Sequence, residues 1–172
     1  MRTHTPPPET PIAMLSGGGM QALNTLAHIC PPENILLDPP VRNQRELFEY
    51  TARYLQNRFD LPADRIATRL AERERMGTTG LGQGVAIPHA RLNGLKTALA
   101  LFIRTPHPIA FDAPDGKPVG EFLLLLVPEH ANKEHLQLLA DAAQLLCERS
   151  FRHAARLART PVDIHRLMLE AQ

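Results

Sequence analysis

His89 stands in "GLGQGVAIPHAR", residues 80–91, where three glycines lead into a short apolar run that stops at Pro88, with Arg91 two positions beyond the histidine. A neutral imidazole is a nucleophile and a proton carrier near pH 7, and a proline before it fixes the backbone that presents it. His135 lies in "NKEHLQLL", three residues after an asparagine able to cap a helix, and a helix N-terminus favours a neutral ring and attracts anions. Arg73, within "ERER", offers a charge that does not titrate away. Each residue also has an ordinary explanation: a surface-loop histidine, a capping histidine, a solvated helix charge.

Other chemistries are less well supplied. Gly77, Gly80, Gly82 and Gly84 match neither the dinucleotide fingerprint nor a P-loop, since no Lys-Ser/Thr follows, and they read as turn glycines. A zinc site from His89, His130, His135 and Cys147 is the weaker reading. No H-E-x-x-H or C-x-x-C is present, and His130 and His135 are five apart, a poor spacing for one helical face. A serine triad lacks its nucleophile elbow. Neither a metal nor a cofactor is expected.

The elements that must hold these residues follow from pattern. Asn43 with Glu46 is an N-cap and capping-box signal, followed by Leu47, Phe48, Ala52, Leu55 and Phe59 at helical spacing. A helix after Pro62, with Ile66 and Leu70 inward, ends before Gly77 and so places Arg73 in its last turn, near the glycine loop and His89. "VAI" reads as a strand that Pro88 ends. His89 then sits just beyond a sheet strand, where α/β proteins place ligands. "TALALFI" (97–103) and "FLLLLV" (122–127) are apolar on both faces, as strands buried in a layered domain are. Between them Asp115-Gly116 signals a hairpin turn. "NILLD" (34–38) is a short strand fenced by prolines, and "MQALNTLAHI" is a short helix using Leu23, Leu26, Ala27 and Ile29.

After Pro128, Asn132 caps a helix predicted to turn Leu136, Leu139, Ala143, Leu146 and Cys147 to one face, with His135 in its first turn. Further helices cover roughly 150–158 and a segment opened by Thr160, Pro161 and Asp163. Helices before, between and after adjacent strands predict an α/β fold, a three-layer α/β/α sandwich with a mixed β-sheet. Residues 1–19, with three consecutive prolines and three consecutive glycines, read as a disordered N-terminal extension, and 20–172 as one folded domain beginning at Met20.

Composition narrows the class. Nineteen basic residues against eighteen acidic ones, with no long run of either sign, argue against a nucleic-acid partner. The longest apolar run, "FLLLLV", is far short of the ~20 residues that span a bilayer, so no membrane insertion is expected, and without the apolar core of a signal peptide the chain reads as cytoplasmic. Cys30 and Cys147 lie far apart in apolar contexts and read as reduced, buried thiols.

"RERMGTTGLGQGVAIPHAR" together with "LLLVPEHANKEHLQLL" resembles the IIA domain of the bacterial phosphoenolpyruvate-dependent phosphotransferase system (PTS EIIA), in its mannitol/fructose superfamily, with the nitrogen-regulatory IIA proteins as the closest branch. The resemblance runs over about residues 20–170. It implies that His89 is the phosphorylated nucleophile, that His135 is the second active-site histidine and donates a hydrogen bond to the phosphoryl group, and that Arg73 stabilises its charge. It implies an HPr-like phosphocarrier protein of the NPr type as donor, and regulatory target proteins controlled by the phosphorylation state of His89. The alternative within the family is a sugar-specific IIA component passing phosphate to a IIB unit for uptake. A third reading is an interaction module that keeps only the fold, against which the joint presence of Arg73, His89 and His135 counts. Ala90 departs from the family pattern, where glycine is usual, and puts a methyl beside the reactive ring. The surface around His89 is expected to be apolar, supplied by "GLGQGVAI".

Overall fold

A computed structural model describes residues 25–130 and 132–171. The expectations for residues 1–19 and for a domain start at Met20 fall outside that range. Of the helix expected over 20–29, residues 25–29 are described and helical (α1), with Leu26 and Ala27 fully buried. A 3₁₀ turn, Pro32–Asn34, leads into β1 (Ile35–Leu37), then α2 (Gln44–Phe59) and α3 (Ala63–Arg75). Three short strands follow, β2 (Gly80–Gly82), β3 (Val85–Ala86) and β4 (His89–Leu92), and then the long β5 (Leu99–Ile109). The long β6 (Val119–Pro128), α4 (Lys133–Cys147), α5 (Arg149–Leu157) and α6 (Pro161–Glu170) complete the fold.

The six strands form one mixed sheet in the order β1-β5-β6-β3-β2, with β4 also on β6. β5 and β6 are antiparallel, while β1 runs parallel to β5, and β3 and β4 run parallel to β6. Side chains on a strand alternate between faces, and here both faces are apolar. Leu101, Ile103, Phe122, Leu124 and Leu126 join one core with Leu47, Leu55, Ile66 and Leu70 of α2 and α3. Their neighbours Ala100, Phe102, Leu123 and Leu125 join the opposite core with Leu26, Leu145, Phe151, Ile164 and Met168. This is the expected three-layer α/β/α sandwich. The β5–β6 hairpin is also present, although Asp115 and Gly116 are part of a longer connection, where Gly116 N–H closes a turn on Ala113 O at 2.9 Å and takes φ +71°.

Local signals show where the pattern was right and where it slipped. Asn43 caps α2 by accepting from Glu46 N–H at 2.8 Å, but Glu46 reaches back to Arg42 N–H at 2.7 Å rather than to Asn43. α4 is rotated from the phase expected of it. Leu138, Ala142, Leu145 and Leu146 are its buried apolar side chains, Leu136 is 66% exposed, and Cys147 is exposed. The helix is apolar enough on several faces that spacing alone admits two stripes, and contact with the sheet selects one. Cys30 does match the expectation of a buried thiol, and burial pushes its pKa up to about 12. Among the described residues no helix is long and apolar enough to cross a membrane.

A candidate phosphoryl-acceptor site at the edge of β6

The edge of β6 places His89. β3 and β4 lie on the same side of that strand with one continuous register, Val85 opposite Glu121 and His89 opposite Leu125. Ile87 and Pro88 interrupt the ladder without shifting it, because Pro88 needs only its carbonyl there, which accepts Leu125 N–H at 2.9 Å. β3 thus ends before Pro88, as expected, but His89 does not lie just beyond the sheet: it opens a further strand that pairs with the central β6. Alternation sends Ala90 and Leu92 into the core shared with α2 and α3, and leaves His89 half-buried with Arg91 exposed. The methyl of Ala90, 6% exposed, is thus accommodated in the core.

Hydrogen bonding determines the protonation of the ring. Nδ1 lies 2.8 Å from Ile87 O, and a carbonyl can only accept, so Nδ1 carries the proton. Nε2 receives Arg73 Nε–H at 3.2 Å, and a guanidinium can only donate, so Nε2 presents a lone pair. His89 is therefore neutral, with Nε2 as its nucleophilic atom. His135 has the opposite tautomer. Asn132 N–H donates to its Nδ1 at 3.1 Å, while the Asn132 side chain accepts from Glu134 and His135 N–H groups in a reciprocal capping box. Its neutral ring then carries the proton on Nε2, which makes it a donor.

His89, Arg73 and His135 line one cleft of about 500 Å³, whose walls include Met76 from the end of α3 and Leu136 and Leu139 from α4. The structure thus brings together all three residues singled out from sequence. The expected source of the apolar surface is corrected, since Val85 and Ile87 are buried in the sheet. Met76, 83% exposed, and Leu136 supply it instead. Sequence reading passed over two further members of the cleft, Arg69 and Glu129, which form a two-pronged pair with Arg69 Nη2 2.9 and 2.8 Å from the two carboxylate oxygens. The available signal was the spacing of Arg69 and Arg73, one helical turn apart on α3. His130 lies in an adjoining hollow with Asp64 and Arg65 rather than with His89. Among the described residues no group of three or more His, Cys, Asp or Glu is placed to hold a metal ion. A larger hollow of about 720 Å³ at the Glu121 end of β6 contains Arg104 and Arg156. Its two arginines are already engaged, Arg156 with Glu121 at 2.8 Å and Arg104 with the carbonyl of Ala155 at 3.0 Å.

Burial is the largest influence on His89 and pushes its pKa below the ordinary 6.5. The bond to Ile87 opposes this, the Arg73 charge adds to it, and Glu74 opposes it more weakly. Between the folded-state pKa and 6.5 the unfolded chain binds more protons at this position, so the contribution of His89 to stability is present above 6.5 and is lost as pH falls through that window. An NMR titration of the ring is expected to give a midpoint below that of the same histidine in urea-unfolded protein. A midpoint at or above the unfolded value would contradict the neutral, lone-pair-bearing ring.

Comparison with known proteins gives the family. Residues 28–171 match the family model for "Phosphoenolpyruvate-dependent sugar phosphotransferase system, EIIA 2". The nitrogen regulatory protein of Pseudomonas aeruginosa is 34% identical over 148 residues, covering 86% of this chain and 96% of that protein. The crystal structure of the nitrogen regulatory protein IIA-Ntr from Neisseria meningitidis superposes with a TM-score of 0.79 at 40% identity, over 84% of this chain and 99% of the other. IIA mannitol from Escherichia coli shares the fold at 17% identity, with a TM-score of 0.65 over 80% of this chain and 97% of its own. A match of that extent, on a sheet edge that presents a neutral histidine to an arginine, places the chain in the EIIA type 2 family of the phosphotransferase system.

Proposed function

We propose that this protein is a phosphocarrier in which Nε2 of His89 accepts a phosphoryl group from the phosphohistidine of an HPr-like carrier of the NPr type, and that the phosphorylation state governs its binding to regulatory target proteins in the cytoplasm. The observation that carries this reading is the forced tautomer: Nε2 holds its lone pair toward Arg73 in an open cleft. The relatives at 34% and 40% identity are both named nitrogen regulatory proteins, which favours this branch over a sugar-specific IIA component serving a IIB unit.

The chemistry needs no general base. The Nε2–P bond forms as the N–P bond of the donor breaks, and the donor ring leaves as a neutral imidazole. His89 keeps its Nδ1 proton throughout, and Ile87 O steadies the positive charge that the ring acquires. Arg73 Nε–H, which occupies the lone pair before reaction, moves onto a phosphoryl oxygen as the group arrives. His135 adds a neutral donor from the N-terminus of α4. The transition state is loose, with charge on the equatorial oxygens, so positioning and electrostatics supply the catalysis. Incubation with phosphoenolpyruvate, the general phosphotransferase enzyme and candidate carriers, followed by intact mass measurement, tests this. No mass gain with any carrier would refute it.

Regulation follows from charge. A phosphoryl group brings about −1.5 to −2 charges to a cleft rimmed by Met76 and Leu136. A target docked over that rim would desolvate the dianion, which costs several kcal/mol if no partner compensates. Phosphorylation is therefore expected to release targets that bind across the cleft, with His89→Glu weakening them similarly and His89→Ala leaving them bound. Calorimetric affinities of the four forms for a target decide the matter, and equal affinity of the phosphorylated and unphosphorylated protein would remove the charge switch.

A further inference from the structure

Glu74 touches neither nitrogen of His89, yet both nitrogens are tied to it through hydrogen bonds. Its two carboxylate oxygens accept from Thr79, one from the backbone N–H at 2.7 Å and one from the hydroxyl at 2.7 Å. Thr79 O in turn accepts Ile87 N–H at 3.1 Å, and Ile87 O accepts His89 Nδ1–H at 2.8 Å. On the other side the turn that Glu74 pins to α3 carries Gly77, whose carbonyl accepts Arg73 Nη1–H at 2.9 Å. Arg73 then donates to His89 Nε2 at 3.2 Å. A single carboxylate at the end of α3 thus holds the loop whose carbonyls orient the ring from one side and the guanidinium from the other.

We infer that Glu74 is a positioning residue for phosphoryl acceptance, setting the tautomer and orientation of His89 by clamping Thr79 and the turn from Gly77 to Thr79 onto α3. Loops of this kind are otherwise the most mobile part of a site. Thr79 is only 7% exposed, so its two bonds to Glu74 are shielded from competing water. Without them Thr79 is free to drift, Ile87 loses its fixed acceptor, and the carbonyl that holds the ring proton on Nδ1 is no longer fixed, which leaves the Arg73 donor alone to favour that tautomer. A share of the rings would then present N–H instead of a lone pair where the phosphoryl group must arrive.

The inference rests on the proposed function for its effect on rate, but its structural core does not, so the test has two separate readouts. Nitrogen-15 spectra of the His89 ring in unphosphorylated protein report the tautomer, and the phosphorylation rate by the carrier reports the consequence. Wild type should show a protonated Nδ1 and an unprotonated Nε2. Glu74→Ala should average the two nitrogens and slow phosphorylation by about 10- to 100-fold, the scale expected for a misplaced reacting group. Glu74→Gln can still accept from Thr79 N–H and donate to its hydroxyl, so it should stay close to wild type in both readouts. Thr79→Val, which removes one of the two bonds, should fall between them and serves if Glu74→Ala does not fold. Wild-type ring signals in Glu74→Ala or Thr79→Val would overturn the inference. So would equal losses in Glu74→Gln and Glu74→Ala, because they would make charge rather than position the cause. A tautomer change in a protein that no carrier phosphorylates would refute the proposed function and leave the positioning role standing.

Discussion

His89→Ala is expected to abolish phosphorylation completely, with no mass gain under conditions that add one phosphoryl group to the wild type. The proposed function requires a total rather than a partial loss, because it makes Nε2, through its lone pair, the bond-forming atom, with no neighbouring group to replace it. His135 is the one other imidazole lining the cleft, and its Nε2 carries a proton once Nδ1 is engaged by Asn132 N–H. The wild-type modification should also be lost in acid and persist in alkali, as a histidine phosphoramidate is. The substitution leaves Ile87 O and Arg73 Nε without their partner, at a cost of about 1–3 kcal/mol each if water does not enter. A melting curve taken beside the mass spectrum separates a damaged fold from a missing nucleophile. A folded His89→Ala protein that still gains a phosphoryl group would move the acceptor elsewhere.

The long apolar strands were legible because burial on both faces leaves a continuous hydrophobic run, and Leu101, Phe102, Leu123 and Leu124 each found a core on the side alternation assigned. His89, Arg73 and His135 were legible as residue types at suggestive places, although 16 and 46 residues of chain separate His89 from the other two. What escaped was short or relational. β2 holds two glycines in three residues and β4 four residues in all, too few for a period to show. The phase of α4 escaped because leucines occur on more than one of its faces, and only the sheet decides which are buried. Glu74 was indistinguishable from a solvated charge within "ERER". The role inferred for it depends on Thr79, which bonds it through its N–H and hydroxyl, and on Ile87, which joins the chain only through backbone groups that carry no sequence signal.

Arg73→Ala is expected to lower the rate of phosphoryl acceptance by about 100- to 1,000-fold, the range for removing one donor aimed at developing charge. Two functions are lost together. The guanidinium that would meet the phosphoryl oxygens is gone, and so is the donor that keeps Nε2 unprotonated before reaction. The second loss has its own signature. The Arg73 charge lowers the His89 pKa, so its removal should raise the midpoint of the ring titration, and acceptance should then begin to fail at a higher pH than in wild type. Arg73→Lys restores charge but not the planar fork that bonds His89 and Gly77 at once. It should therefore recover much of the pKa and only part of the rate. His135→Ala, which removes a neutral donor, should slow transfer without raising that midpoint, and His135→Gln should slow it less. If Arg73→Ala left both the rate and the titration midpoint unchanged, the guanidinium would be a loop tether alone, and the charge stabilisation assigned to it would have to come from the carrier protein.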